Sequence, residues 1–176
     1  MIKTKNITVN VSLGAEFREH ELEATLAHEI DVHVRRYING AQTGWDLLKS
    51  GTAAYVADEE GLAIFMSEKY LPEEYEKLGR YSKYYLLSEV DKHSFAGMID
   101  IIMQMQQRTL TGAFKTALRV KKGIQKTGVV QRGAGHWKDL IYLDGYQRVM
   151  EWMDQGGDIE KLMIGKIKIA DMKYIY

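Results

Sequence analysis

The chain is 176 residues long, with 24 lysines and arginines balanced by 24 aspartates and glutamates, five histidines, one proline and no cysteine. That length fits a single domain spanning 1–176 with ample material for a buried core. The neutral balance argues against nucleic acid as a partner, since a polyanion binder needs a basic excess. The lack of cysteine removes disulfides, cysteine-type zinc fingers and iron–sulfur clusters. A metal centre in this chain has to be built from histidine and carboxylate.

The opening MIKTKNITVNVSL has no apolar stretch of signal-peptide length, and the longest apolar runs fall far short of a membrane span. The expectation is a cytoplasmic protein with no membrane partner. Residues 5–13 alternate Ile7, Val9, Val11 and Leu13 with polar side chains, the period of a half-buried strand, and Gly14 ends it. From Ala15 to about Ile38 the period becomes helical through Leu22, Leu26, Ile30, Val34 and Tyr37, with Asn39-Gly40 as the stop. Residues 41–52 read as a connection with one helical turn. A second helix begins after Thr52 or Asp58 and runs to Pro72, which closes it.

Further helices are predicted at about 74–92, 94–107 and 109–122, with Arg119, Lys121 and Lys122 on a solvated face and Met98, Met103 and Met105 on a packed one. Residues 123–136 hold four glycines and read as a loop. WKDLIYLDGYQRVMEWM resumes as helix, and DIEKLMIGKIKI reads as a final amphipathic helix. The fold class is mostly α with a small β element.

One stretch of the first long helix carries chemistry: His28-Glu29-Ile30-Asp31-Val32-His33. Zinc peptidases place two histidines four residues apart on one helical face, with a glutamate after the first as general base. Here the spacing is five. On an ideal α-helix, residues five apart point about 140° away from each other, too far to share an ion. A local widening of the helix by one residue, a π-bulge, returns both to one face. The pair can therefore hold a metal only if the helix is irregular between Glu29 and His33.

A catalytic zinc takes three protein ligands and keeps one position open. With no cysteine, the third ligand comes from a carboxylate or another histidine. The nearest strong source is Asp58-Glu59-Glu60-Gly61-Leu62-Ala63, where the small Gly61 and Ala63 let the second helix approach the first closely. A Zn²⁺ held there lowers the pKa of its water toward ~7, and Glu29 takes the water's proton and passes it to the leaving amine. The competing reading is that these are charged, solvated helix faces.

HEIDVHVRRYING, DEEGLA and ALRVKKGIQKTGVVQRGAGHWKDLIYLDG, taken in that order, resemble one family. It comprises the peptidases with a QEGLA motif described as flavohaemoglobin expression modulators, together with the microtubule-associated tyrosine carboxypeptidases. The resemblance covers about residues 6–150. It implies a zincin-like, mostly helical fold with a small sheet beside the metal-binding helices. It further implies a zinc peptidase acting as a carboxypeptidase on a peptide or protein C-terminus. His28 and His33 become zinc ligands and Glu29 the catalytic base. Glu60, the glutamate before the glycine, becomes the third ligand, with Glu59 as the fallback. Arg132, Lys138 and Tyr142 are candidates to hold the substrate's terminal carboxylate or to stabilise an oxyanion. The alternative is that Tyr142 is core and Lys138–Asp139 a surface pair. His136 is a further candidate to orient substrate.

Two departures set the chain apart. Family members carry Gly-Thr where this chain has Asp31-Val32, so Asp31 becomes a candidate to orient a ligand histidine. This sequence also opens at the strand before the metal helix, whereas typical family members carry a substantial N-terminal region, so a fragment, a minimal version or half of a split site are the expectations. These departures support a second reading, a non-catalytic helical module with a structural or vestigial metal site that works by partner binding. The oligomeric state is left open.

Overall fold

The computed structural model describes residues 7–17, 19–72, 82–122, 135 and 139–175. The chain divides into two compact units, residues 1–72 with 141–176, and residues 73–140.

In the first unit, α1 (Glu19–Leu26) runs into a π-helix (Ala27–Val34) and then α2 (Arg35–Gln42), making one continuous rod of three segments. The short α3 (Asp46–Ser50) and the longer α4 (Tyr55–Glu68) follow. Then come α8 (Leu140–Asp154), α9 (Ile159–Leu162) and a 3₁₀ helix (Ile169–Tyr174). Val32, Leu62, Ala63, Val149, Leu162, Met163 and Ile167 are all buried in one core. Where α4 meets α8, two glycines face each other. A Cβ on Gly61 would collide with the backbone of Gly145 and Tyr146, and one on Gly145 with the carbonyl of Ala57. The glycines of EEGLA and KDLIYLDG are thus two halves of one helix crossing. Gly61 was expected to bring α4 against the histidine-bearing helix; its close neighbour is α8 instead.

The second unit contains a helix at 82–89 (α5), α6 (Phe95–Gln106) and α7 (Leu110–Val120). The α6 and α7 N-termini are capped by Ser94, which accepts from Gly97 N–H, and by Thr109, which accepts from Gly112 N–H. Leu86, Leu87, Val90, Met98, Ile102, Ala113 and Ala117 form its core. Met98 is buried, but Met103 and Met105 are exposed, so the methionines do not share one packed face. Nor do the basic residues share a solvated one. Lys121 is buried and donates to the His93 carbonyl, while Arg119 grips Asp139 with two hydrogen bonds of 2.8 and 2.9 Å.

Four further expectations change. No strand occurs among the described residues, so the small β element is not seen. Residues 7–13 are irregular and Val11 and Leu13 exposed, while residues 5 and 6 lie outside the described set. Alternation marks a segment able to pair, but a strand also needs a neighbour to complete its ladder. Asn39-Gly40 does not stop the helix; α2 continues to Gln42 before the left-handed Gly44. Gly40 instead leaves room for the Leu48 carbonyl, which a side chain would strike. The second helix ends at Glu68, four residues ahead of Pro72. The final helix breaks after Leu162 because the carbonyls of Leu162, Gly165 and Ile167 turn to the buried guanidinium of Arg36, at 3.0, 2.8 and 2.6 Å. Most of the 123–136 loop, including Arg132, and His136 and Lys138 lie outside the described residues.

Candidate metal centre

The rod that carries His28 and His33 widens where the spacing demands it. The π-helix covers Ala27–Val34, and Arg35 N–H reaches back five residues to the carbonyl of Ile30. That wider turn brings residues five apart onto the same face. The two imidazoles stand edge to face with centroids 5.0 Å apart. The Asp31-Val32 departure leaves this irregularity intact. Val32 is fully buried in the core while Asp31 points to solvent.

From α4, Glu60 reaches the pair: its Oε2 lies 3.5 Å from His28 Nε2 and 3.7 Å from His33 Nε2. One ligand atom from each of His28, His33 and Glu60 lies within 4.8 Å of the other two. Donors around a tetrahedral zinc, with bonds near 2.0–2.1 Å, stand roughly 3.3 Å apart. The three side chains therefore fit such an ion with small closing movements. Two imidazoles and a carboxylate are also the donor set that zinc accepts when an open position is kept.

Glu59, the neighbour of Glu60, does something different. His33 Nδ1 donates to its Oε1 at 2.7 Å, which fixes the ring and leaves Nε2 facing Glu60. Its Oε2 accepts from Arg36 at 3.2 Å, and Lys166 Nζ stands 3.3 Å from Oε1. Consecutive residues on α4 thus differ in their contacts: Glu60 faces the two imidazole Nε2 atoms, and Glu59 holds His33 from behind. Asp31 has no part in orienting His33. Asp58, one turn-step earlier, is also buried and structural, pairing with Arg148 at 2.9 Å and accepting from Ile169 N–H at 2.7 Å.

These contacts shape the electrostatics. Burial alone would lower the pKa of His33, but its hydrogen bonds to Glu59 and Glu60 outweigh burial and raise it to about 9. Burial alone would raise Glu60, but hydrogen bonds from His28 and His33 bring it down to about 2. Burial likewise pushes Glu59 up, and His33, Arg36 and Lys166 together hold it below the usual carboxylate range. In the metal-free chain, a proton on His33 stands in for positive charge between the carboxylates.

Around the triad is a polar compartment of about 390 Å³, walled also by Glu29, Tyr55, Val56, Tyr142 and Lys166. A longer groove of about 790 Å³ meets it at Glu29, His33 and Lys166, and its walls include Phe17, Val34, Tyr37 and residues 7–12. Of the sequence candidates, the structure brings together His28, Glu29, His33, Glu60 and Tyr142. Arg132 and Lys138 fall outside the described residues. Sequence reasoning missed Arg36, Tyr55 and Lys166. Their only early signal was position: Arg36 follows His33 by three, and Tyr55 precedes Glu59 by four, each one helical turn away.

The family model described as microtubule-associated tyrosine carboxypeptidase matches residues 1–176. A human protein named "Putative tyrosine carboxypeptidase MATCAP2" is 29% identical over 171 residues, covering 94% of this chain. The chain spans 31% of that relative's length. No helix among the described residues is long and apolar enough to cross a membrane.

Proposed function

Since the chain belongs to the microtubule-associated tyrosine carboxypeptidase family, we propose that it is a zinc-dependent carboxypeptidase of zincin-like core that acts on a peptide or protein C-terminus in the cytoplasm. The observation that carries this reading is the π-helix. It sets His28 and His33 against Glu60 and leaves Glu29 in the wall of the same compartment. His28, His33 and Glu60 hold the ion. Zinc there supplies Lewis acidity, acidifying a water and polarising a substrate carbonyl.

The chain's own groups do the rest. Glu29 lines both compartments and is exposed, so its carboxylate can reach a water placed at the triad. It takes the water's proton as the oxygen attacks the scissile carbonyl, then returns that proton to the leaving amine as the C–N bond breaks. Glu59 holds His33 in one tautomer and orientation throughout, backed by the buried Arg36. Tyr142 stands in the compartment wall, where its phenol can donate to a developing oxyanion.

Metal content and turnover of three variants test the reading. Purified protein supplied with zinc is expected to bind about one ion per chain. His28→Ala or His33→Ala should abolish binding. Glu29→Gln should keep the ion and lower hydrolysis of C-terminal peptides by roughly a hundredfold or more. Protein that takes up no zinc defeats the proposal at its first step.

A further inference from the structure

A carboxypeptidase needs a cation that recognises the free carboxylate of the last residue, and the metal-binding triad does not supply one. Among the described residues that wall the compartment and the groove, Lys166 is the one lysine or arginine. Arg36 is buried behind Glu59 with its donors committed to Glu59 and three backbone carbonyls. The walls otherwise carry the carboxylates of Glu29, Glu59 and Glu60, which repel an incoming anion.

Lys166 is also placed rigidly at its root. Its N–H donates to the Leu48 carbonyl at 2.7 Å and its carbonyl accepts from Thr52 N–H at 2.9 Å. The neighbouring carbonyls of Gly165 and Ile167 are held by Arg36. The ammonium lies over the Tyr55 ring, 5.5 Å from its centroid, and 3.3 Å from Glu59. Glu59 does not depend on it, because His33 and the buried Arg36 already bond that carboxylate. An ammonium has three donors on a flexible stem, so Lys166 can turn one toward a ligand while its backbone stays fixed. Its position fits the reaction as well. In removal of one terminal residue, the scissile carbonyl and the free carboxylate are a single residue apart, about 3.8 Å between α-carbons. Lys166 and the triad wall the same compartment and are linked through Glu59, whose Oε1 lies 3.3 Å from the ammonium and 2.7 Å from His33 Nδ1.

We propose that Lys166 is the receptor for the substrate's terminal carboxylate and makes the site an exopeptidase rather than an endopeptidase. The inference rests on the carboxypeptidase reading above, and binding separates the two. The probes are paired peptides ending in tyrosine, one with a free carboxylate and one amidated, titrated into zinc-loaded Glu29→Gln protein, where no turnover is needed. The free acid should bind roughly ten- to a hundredfold more tightly than the amide. Lys166→Met should bring the ratio close to one by weakening the acid alone, and Lys166→Arg should restore much of it. Zinc affinity should not change in either variant. An acid-to-amide ratio near one before substitution, or one that Lys166→Met leaves untouched, overturns the proposal. So does a fall in zinc affinity with equal losses for both peptides, which would make Lys166 only a partner of Glu59. If the acid preference tracks Lys166 but the Glu29-containing enzyme hydrolyses nothing, the carboxylate site stands and the catalytic reading fails.

Discussion

Glu59 and Glu60 are chemically identical and adjacent, yet a turn of about 100° between consecutive helical residues sends them to different tasks. Glu60 faces both imidazole Nε2 atoms, and Glu59 accepts a hydrogen bond from His33 Nδ1 and another from Arg36. Glu59→Gln should therefore leave zinc stoichiometry at saturation unchanged but weaken affinity by about 10- to 100-fold, as loss of an outer hydrogen-bonding partner does. Asp31→Asn should leave affinity as it was. Competition with a chelator of known affinity measures both, and equal effects would refute the division of roles. The sequence offered Glu60 and Glu59 as alternatives and Asp31 as the orienting group. Helical position could not separate them, because the partners that decide, His33 and Arg36, meet Glu59 only through tertiary packing.

At the scale of elements, the π-helix was legible and the two ends of the chain were not. A five-residue histidine spacing can serve one ion only on a widened helix, so the demand followed from geometry alone. The 7–13 alternation and the 158–169 amphipathic pattern were equally clear as periodicities, but both depended on distant partners. No strand accepts residues 7–13 among those described, and Arg36 captures the carbonyls that a longer final helix would need. Two motif glycines also acquire a physical meaning at this scale. Gly61 and Gly145 let α4 and α8 touch backbone to backbone. Gly61→Ala or Gly145→Ala should each destabilise the fold by ~1–3 kcal/mol or more through overpacking. Gly97→Ala, whose nearest side-chain neighbours would sit at an ordinary 3.5 Å, should be neutral or gain up to ~1 kcal/mol from helix propensity. Denaturant unfolding of the three variants would show the contrast, and similar values would sink it.

For the molecule as a whole, the buried charges set how stability responds to acid and to metal. In the metal-free chain, the Glu59 and Glu60 carboxylates outweigh burial and push the pKa of His33 up from the ordinary 6.5 to about 9. Its contribution is complete below 6.5 and is lost as pH rises through 9. Glu60, at about 2 against 4.5, contributes fully above 4.5 and loses that contribution as pH falls through 2. Both contributions are whole only between 4.5 and 6.5. Chelator-stripped protein should accordingly show its highest Tm in that window and decline on either side. Because zinc displaces the His33 proton, the rise in Tm on adding zinc should grow from pH 6.5 toward pH 9. A metal-free Tm that climbs between those two values contradicts the assigned contacts.

Arg36 ties together parts of the chain that are made at very different times. Its carbonyl partners lie 126, 129 and 131 residues further along. A nascent chain that has released only α1 to α4 already carries both histidines, Glu29 and Glu60. It still lacks the turn that fastens Arg36, and so lacks the brace behind Glu59 and His33. The growing polypeptide can gather its donor residues early but cannot lock them until the segment around Leu162–Ile167 emerges. The brace behind Glu59 and His33 is thus a late-made contact, since its carbonyl partners are among the last residues of this sequence to be joined.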